Sequence, residues 1–132
     1  MVFQKRIIFN LKNMGFRTLI AYKKAFDLSM EFFKISKSFP KEEIYSLTDQ
    51  IRRSSRSVCI NLAEGYRKRT YPKHFYSKLT DADSENSETL GWLEFALACN
   101  YISKEVKNNL EIKNIEIGKL LNYMMNNLDR FR

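Results

Sequence analysis

PKEEIYSLTDQIRRSSRSVCINLAEG, residues 40–65, decides the fold. Ile44, Leu47, Ile51, Ser55, Val58 and Leu62 recur at steps of three and four, which places them on one stripe of a helix. Pro40 suits the first helical position, where its missing N–H would have no intrahelical partner. Glu42 and Glu43 would then fall in the first turn, where the helix dipole favours acids. The pattern predicts a helix from Pro40 to an end between Gly65 and Lys68, before the break at Thr70–Tyr71–Pro72.

Three further helices follow from the same reading. One is expected over Phe16–Lys37, a stretch whose many apolar residues indicate deep burial. A third opens at Pro72 and carries Phe75, Leu79, Ala82, Asn86, Leu90, Leu93 and Leu97 on its stripe, ending near Tyr101–Ile102. Ser103 is the expected N-cap of the fourth, with Glu105 in its first turn and Leu110, Ile117, Leu120, Leu121, Met124 and Leu128 carrying its face to the C-terminus. Four long helices with short connections predict an all-α protein, an antiparallel up-down-up-down four-helix bundle. The expected organisation is a basic, apolar N-terminal arm at residues 1–15 and one bundle domain at 16–132.

Composition agrees. Only 4 glycines and 2 prolines occur among 132 residues, while 44% of the chain is apolar and 29% charged. Those values suit long helices around a real core rather than disorder. Twenty-three basic residues outweigh fifteen acidic ones, for a net charge of +8. Such an excess attracts polyanions. Cys59 and Cys99 stand far apart in apolar runs and read as buried reduced thiols. No stretch has the length of a signal peptide's apolar region or a membrane span, so a cytoplasmic location is expected.

Catalytic chemistry finds little to build on. The chain has 1 histidine, His74, so the paired Glu-x-x-His motifs of a two-metal bundle cannot be assembled. Cys-x-x-Cys pairs and glycine-rich phosphate loops are missing, and no cofactor or metal is expected. One pattern stays open. Arg69 and His74 are spaced as Arg-x4-His, which resembles helical ribonucleases of the HEPN type, with the histidine as general acid or base. Here a proline and an expected loop separate them.

Charge is concentrated in one segment. Residues 52–78 hold Arg52, Arg53, Arg56, Arg67, Lys68, Arg69, Lys73 and Lys78 against Glu64 alone, a surplus of +7. Arg52, Arg56 and Arg67 share a helical stripe away from the core, and Tyr66, Tyr71, Phe75 and Tyr76 are interleaved. Arginine grips phosphate bidentately and aromatic rings stack on unpaired bases. A solvated face is the plainer alternative. The acids Asp81, Asp83, Glu85, Glu88 and Glu94 form either a second solvated face or the partners of these cations.

Ile60 points away from the Ile51–Leu62 stripe, so an isolated bundle would expose it together with part of Cys59, which suggests an oligomer. Asn61 lies at the flank of the stripe, placed to bond across the bundle or to Glu64. Glu64 could pair with Arg67 or Lys68 at helical spacing, and Gly65 permits a close approach or the start of the helix end.

The run FPKEEIYSLTDQIRRSSRSVCINLAEGYRKR resembles the signature of the four-helix-bundle proteins encoded in 23S rRNA intervening sequences. The matching positions are Phe39, Pro40, Glu43, Leu47, Gln50, Ile51, Arg52, Arg53 and 61–65. Downstream, Glu85, Glu88, Thr89, Trp92, Leu93, Tyr101 and Ile102 match the family's second segment. Leu62 replaces the usual isoleucine, and Ser54 and Ser55 replace the more usual alanines. The resemblance implies a ring-like homopentamer without catalytic activity. It also implies kinship with the accessory proteins of diversity-generating retroelements, which bind nucleic acid and a reverse transcriptase through a basic surface. The candidate contacts to RNA are Arg52, Arg53, Arg56, Arg67, Lys68, Arg69 and Lys73. Asn61, Glu64, Glu85 and Glu88 are the candidate geometry-fixing polar residues.

Overall fold

A computed structural model describes residues 15–132; the expected arm lies outside these residues except for Gly15. The described chain is all-α: four long helices, three short 3-10 turns and no strand. We label the helices α1 (Ile20–Ser36), α2 (Leu47–Arg67), α3 (Pro72–Ala98) and α4 (Lys104–Asn126). Each packs on the next, and α4 returns to α1. Pairs of side-chain contacts step in opposite chain directions across three of the seams. Along α2 and α3 they run Ser54–Thr89 and then Glu64–Lys78. Along α3 and α4 they run Asn86–Asn114 and then Glu94–Lys107. Between α1 and α4 they run Lys24–Glu116 and Glu31–Lys113.

The core follows the predicted stripes. Ile51, Val58 and Leu62 of α2 meet Phe75, Leu79, Ala82 and Leu93 of α3, with Leu28 and Phe32 from α1 and Ile117 and Leu121 from α4. Two polar ties lie inside this apolar volume. Thr89 donates to Ser54 at 2.8 Å. Asn86 and Asn114 bond reciprocally, Asn86 Nδ2 to the Asn114 carbonyl at 2.9 Å and Asn114 Nδ2 to Asn86 Oδ1 at 3.0 Å. A slip of either seam would strand these groups without partners, which is costly in a dry interior. They therefore fix register.

Helix ends depart from the expectation in four places, one of them the fourth helix, which stops at Asn126 instead of running to the C-terminus and leaves Leu128 in a 3-10 turn over Leu128–Phe131. The first helix begins at Ile20, because Leu19 is extended (ψ 129°) and buries its side chain; Phe16–Thr18 forms a separate 3-10 turn. The second begins at Leu47 rather than Pro40. Pro40 instead precedes a 3-10 turn over Lys41–Glu43, and the backbone of Ser46 (φ −125°, ψ −104°) leaves the helical region. That break rotates Ile44 off the core stripe, and it is 53% exposed. The third ends at Ala98. Asn100 takes a positive φ of 61°, and the Tyr101 and Asn100 amides bond back to Ala96 and Leu97, the pairing of a Schellman cap. This cap swings Cys99 into solvent, while Cys59 stays buried with its thiol pushed up to about 11, chiefly by desolvation. Ser103 caps α4 as expected, accepting from the Val106 amide at 3.1 Å.

The cap at Asn100 also secures the start of α2. Tyr101 packs on Phe39 and donates its hydroxyl to Glu43 Oε2 at 2.8 Å. The Glu43 carboxylate also accepts from the Ser46 hydroxyl and, at 3.5 Å, from the Leu47 amide, so it serves the orphan donors of α2 from outside the helix. These bonds hold the Glu43 carboxyl below its ordinary value, the Ser46 hydroxyl first and Tyr101 next. The hydrogen bond to Glu43, then desolvation and the carboxylate's charge, push the Tyr101 phenol up to about 12 from 10.0. A raised phenol stabilises the fold below its unfolded value and withdraws that support as it ionises. Stability should therefore fall between pH 10 and about 12 more steeply in the wild-type protein than in Tyr101→Phe. Chemical denaturation at stepped alkaline pH measures the difference; parallel curves would show that the bond contributes nothing.

Candidate nucleic-acid interface

The eight cations of residues 52–78 do not form one surface. Arg53 faces the seam with α3 and is held by two acids, Glu85 at 3.5 Å and Glu88. Glu88 also accepts from the Trp92 indole at 3.3 Å. Lys78 is bound to Glu64 at 2.7 Å. Their bond holds the Glu64 carboxyl low and the Lys78 ammonium high. Arg69 folds back on its own turn, donating to the Tyr66 carbonyl at 2.9 Å with its guanidinium 4.2 Å from the Tyr66 ring centre. Arg67, Lys68 and Lys73 are exposed around the α2–α3 turn, and Arg52 and Arg56 lie on the α1 side of α2. None of these five has an ion-pair partner among the described residues.

Arg52 and Arg56 have an aromatic neighbour that sequence reading missed. Their guanidinium carbons lie 4.9 and 5.5 Å from the ring centre of Phe33 on α1, and Lys37 Nζ lies 4.7 Å from the same centre. Arg52 Nε donates to Ser36 Oγ at 2.7 Å, and Ser36 in turn donates to the Phe33 carbonyl at 2.9 Å. One helical turn separates Phe33 from Lys37, but only the α1–α2 packing brings Arg52 and Arg56 to them. Sequence spacing within one helix carried no signal of it.

The acids of α3 follow the two readings offered for them only in part, because Glu94 pairs with a cation of α4. Glu85 and Glu88 take Arg53, Glu94 takes Lys107 at 2.9 Å, and Asp81 stays exposed. Asn61 crosses no seam; it donates to the Ser57 carbonyl of its own helix at 2.9 Å. Glu64 bonds Lys78 rather than Arg67 or Lys68, and Gly65 supplies the reason. A Cβ built on Gly65 would lie 2.9 Å from Lys78 Cβ, so α3 comes close enough here to put the ammonium within reach. Asn61 thus bonds within α2, and Glu64, Glu85 and Glu88 bond across α2–α3. Ile60 is 57% exposed as expected, whereas Cys59 is buried.

His74 stands exposed in the first turn of α3, edge-on to Tyr71 with ring centres 6.2 Å apart. No hydrogen bond joins it to Arg69 among the described residues. Likewise, among these residues no group of three or more His, Cys, Asp or Glu side chains comes together as a metal would need. No helix among them is long and apolar enough to cross a membrane.

These features define an all-α four-helix protein with cations on its outer faces. The chain belongs to the 23S rRNA-intervening sequence protein family, whose model matches residues 17–123. It is similar to a crystal structure from Bacteroides thetaiotaomicron, a protein of unknown function from the S23 ribosomal protein family. The two chains are 26% identical with a TM-score of 0.74, over 81% of this chain and 96% of the other. No curated protein matches it.

The close approach at Gly65 gives a paired test with Gly91, where an added Cβ would meet nothing within 4 Å. Gly91→Ala should stabilise by up to ~1 kcal/mol through helix propensity. Gly65→Ala should destabilise by about 1–3 kcal/mol, because α2 and α3 must part. Thermal melts of the two variants should move in opposite directions; equal upward shifts would remove the close approach from the account.

Proposed function

We propose that this is a non-enzymatic RNA-binding protein, an antiparallel up-down-up-down bundle that works as a homo-oligomer and meets nucleic acid with its cationic surface. The observation that carries this reading is the division of the cations. Arg53 and Lys78 are neutralised inside the chain, while Arg52, Arg56, Arg67, Lys68 and Lys73 are left without an acid among the described residues. Membership of a family named for an rRNA intervening sequence favours RNA over other polyanions. Arg69 is a supporting member, since its guanidinium is already engaged by Tyr66.

Assembly is supported by apolar exposure. Phe26, Met30 and Ile60 are exposed. Because α1 and α2 run in opposite directions, stepping back one turn from Phe33 to Met30 matches stepping forward one turn from Arg56 to Ile60, and Phe26 lies one turn beyond Met30. The three residues therefore share one face, of the kind subunits or partner proteins cover. The family resemblance makes a ring-like pentamer the expected assembly, in the cytoplasm. The same face supports a second reading, a scaffold for another protein such as a reverse transcriptase. Light scattering with and without RNA, together with a pull-down, separates the two.

A filter-binding titration over a salt series tests the main reading. RNA affinity should fall steeply with salt, as counterion release requires. Charge reversal at Arg67 and Lys68 should flatten that dependence, whereas Arg53→Ala should leave it unchanged. Absence of salt-sensitive binding by the wild-type protein would refute the reading. RNA should also emerge intact from incubation with the protein; cleavage that disappears in His74→Ala would favour the ribonuclease alternative.

A further inference from the structure

We propose that Lys37, Arg52 and Arg56, gathered on the ring of Phe33, form a phosphate-binding cradle that grips the backbone of an RNA strand. This rests on the RNA-binding reading and adds to it a defined contact on the side of the bundle. Lys37, which lies outside the basic segment, belongs to it.

Three observations place the cradle. First, all three charges lie within 5.5 Å of one ring centre, so no two are separated by more than about 10 Å. That is close to a Debye length, and they act on an incoming anion together. Second, among the described residues no carboxylate pairs with any of them, although acids neutralise Arg53 on the neighbouring face of α2. Third, the cluster is anchored. Ser36, itself 2% exposed, takes Arg52 Nε and leaves the two terminal nitrogens of that guanidinium for a ligand.

The plainer account is incomplete. The carboxyl-terminal pole of α1 favours a cation near Ser36, and Lys37 alone would satisfy it. The ring face offsets part of the mutual repulsion, since a cation over phenylalanine is attracted to its quadrupole. Neither effect calls for three cations at one aromatic ring. The phosphodiester backbone of an RNA strand does, because neighbouring phosphates can accept from the Arg52 and Arg56 forks and from the Lys37 ammonium.

The test is a salt series with a short labelled single-stranded RNA of mixed sequence and the purified full chain. Each lost phosphate contact should flatten the log–log salt slope by roughly 0.7, so Lys37→Gln should lower it by about 0.7 and Lys37→Gln/Arg56→Gln by about 1.4. Phe33→Leu keeps every charge and most of the apolar volume. It should weaken binding several-fold at fixed salt with little change of slope. Lys37 is exposed, so its single variant keeps the proposal testable if the double variant folds poorly. A wild-type slope retained by Lys37→Gln, with RNA still bound and the slope reduced in Arg67→Glu/Lys68→Glu, would overturn the cradle and leave the RNA-binding reading in place. Wild-type protein without RNA affinity would overturn both.

Discussion

The seam between α2 and α3 is the constraint on which the remaining structure depends. Three contacts hold it along its length: Arg53 against Glu85 and Glu88, Ser54 against Thr89, and Glu64 against Lys78 beside the bare Cα of Gly65. The middle contact is buried and neutral, so it supplies register at little desolvation cost. The outer ones are surface ion pairs, individually weak, that follow from the register more than they cause it. Gly65 sets the spacing at one end, because a side chain there would push the helices apart.

Once the seam is fixed, the rotation of α2 about its axis is fixed as well, and that rotation sorts its charges. Arg53 turns toward the acids of α3 and is neutralised. Arg52, one residue earlier, turns toward α1 and meets Phe33 and Ser36. Arg56 follows Arg52 one turn later on the same side. Adjacent arginines of identical chemistry thus acquire opposite roles from a rotation of 100°. Arg67 at the last position of α2, Lys68 in the loop and Lys73 in the first turn of α3 lie beyond the acids of the seam and are left exposed around the α2–α3 turn.

Much of this was legible in the sequence. The apolar stripes of Ile51–Val58–Leu62 and of Phe75–Leu79–Leu93 became the core, the Ser103 cap appeared, and Pro72 opened its helix. Helix starts were less legible. Pro40 with Glu42 and Glu43 carries the local marks of a helix start, yet the helix begins at Leu47, after the non-helical Ser46, and the Glu43 carboxylate bonds Tyr101, 58 residues away. Asn100 ends α3 early for a local reason, a left-handed residue that periodicity does not reveal.

The amino-acid order by itself determined the number of helices, the faces they bury and the surplus of positive charge, because these depend on periodicity and composition within each segment. Which cations are neutralised, why Glu64 takes Lys78, and how Lys37 joins Arg52 and Arg56 around Phe33 were decided by tertiary structure alone. Those contacts join helices whose relative rotation and spacing are set by packing, and spacing along a single helix carries no information about them.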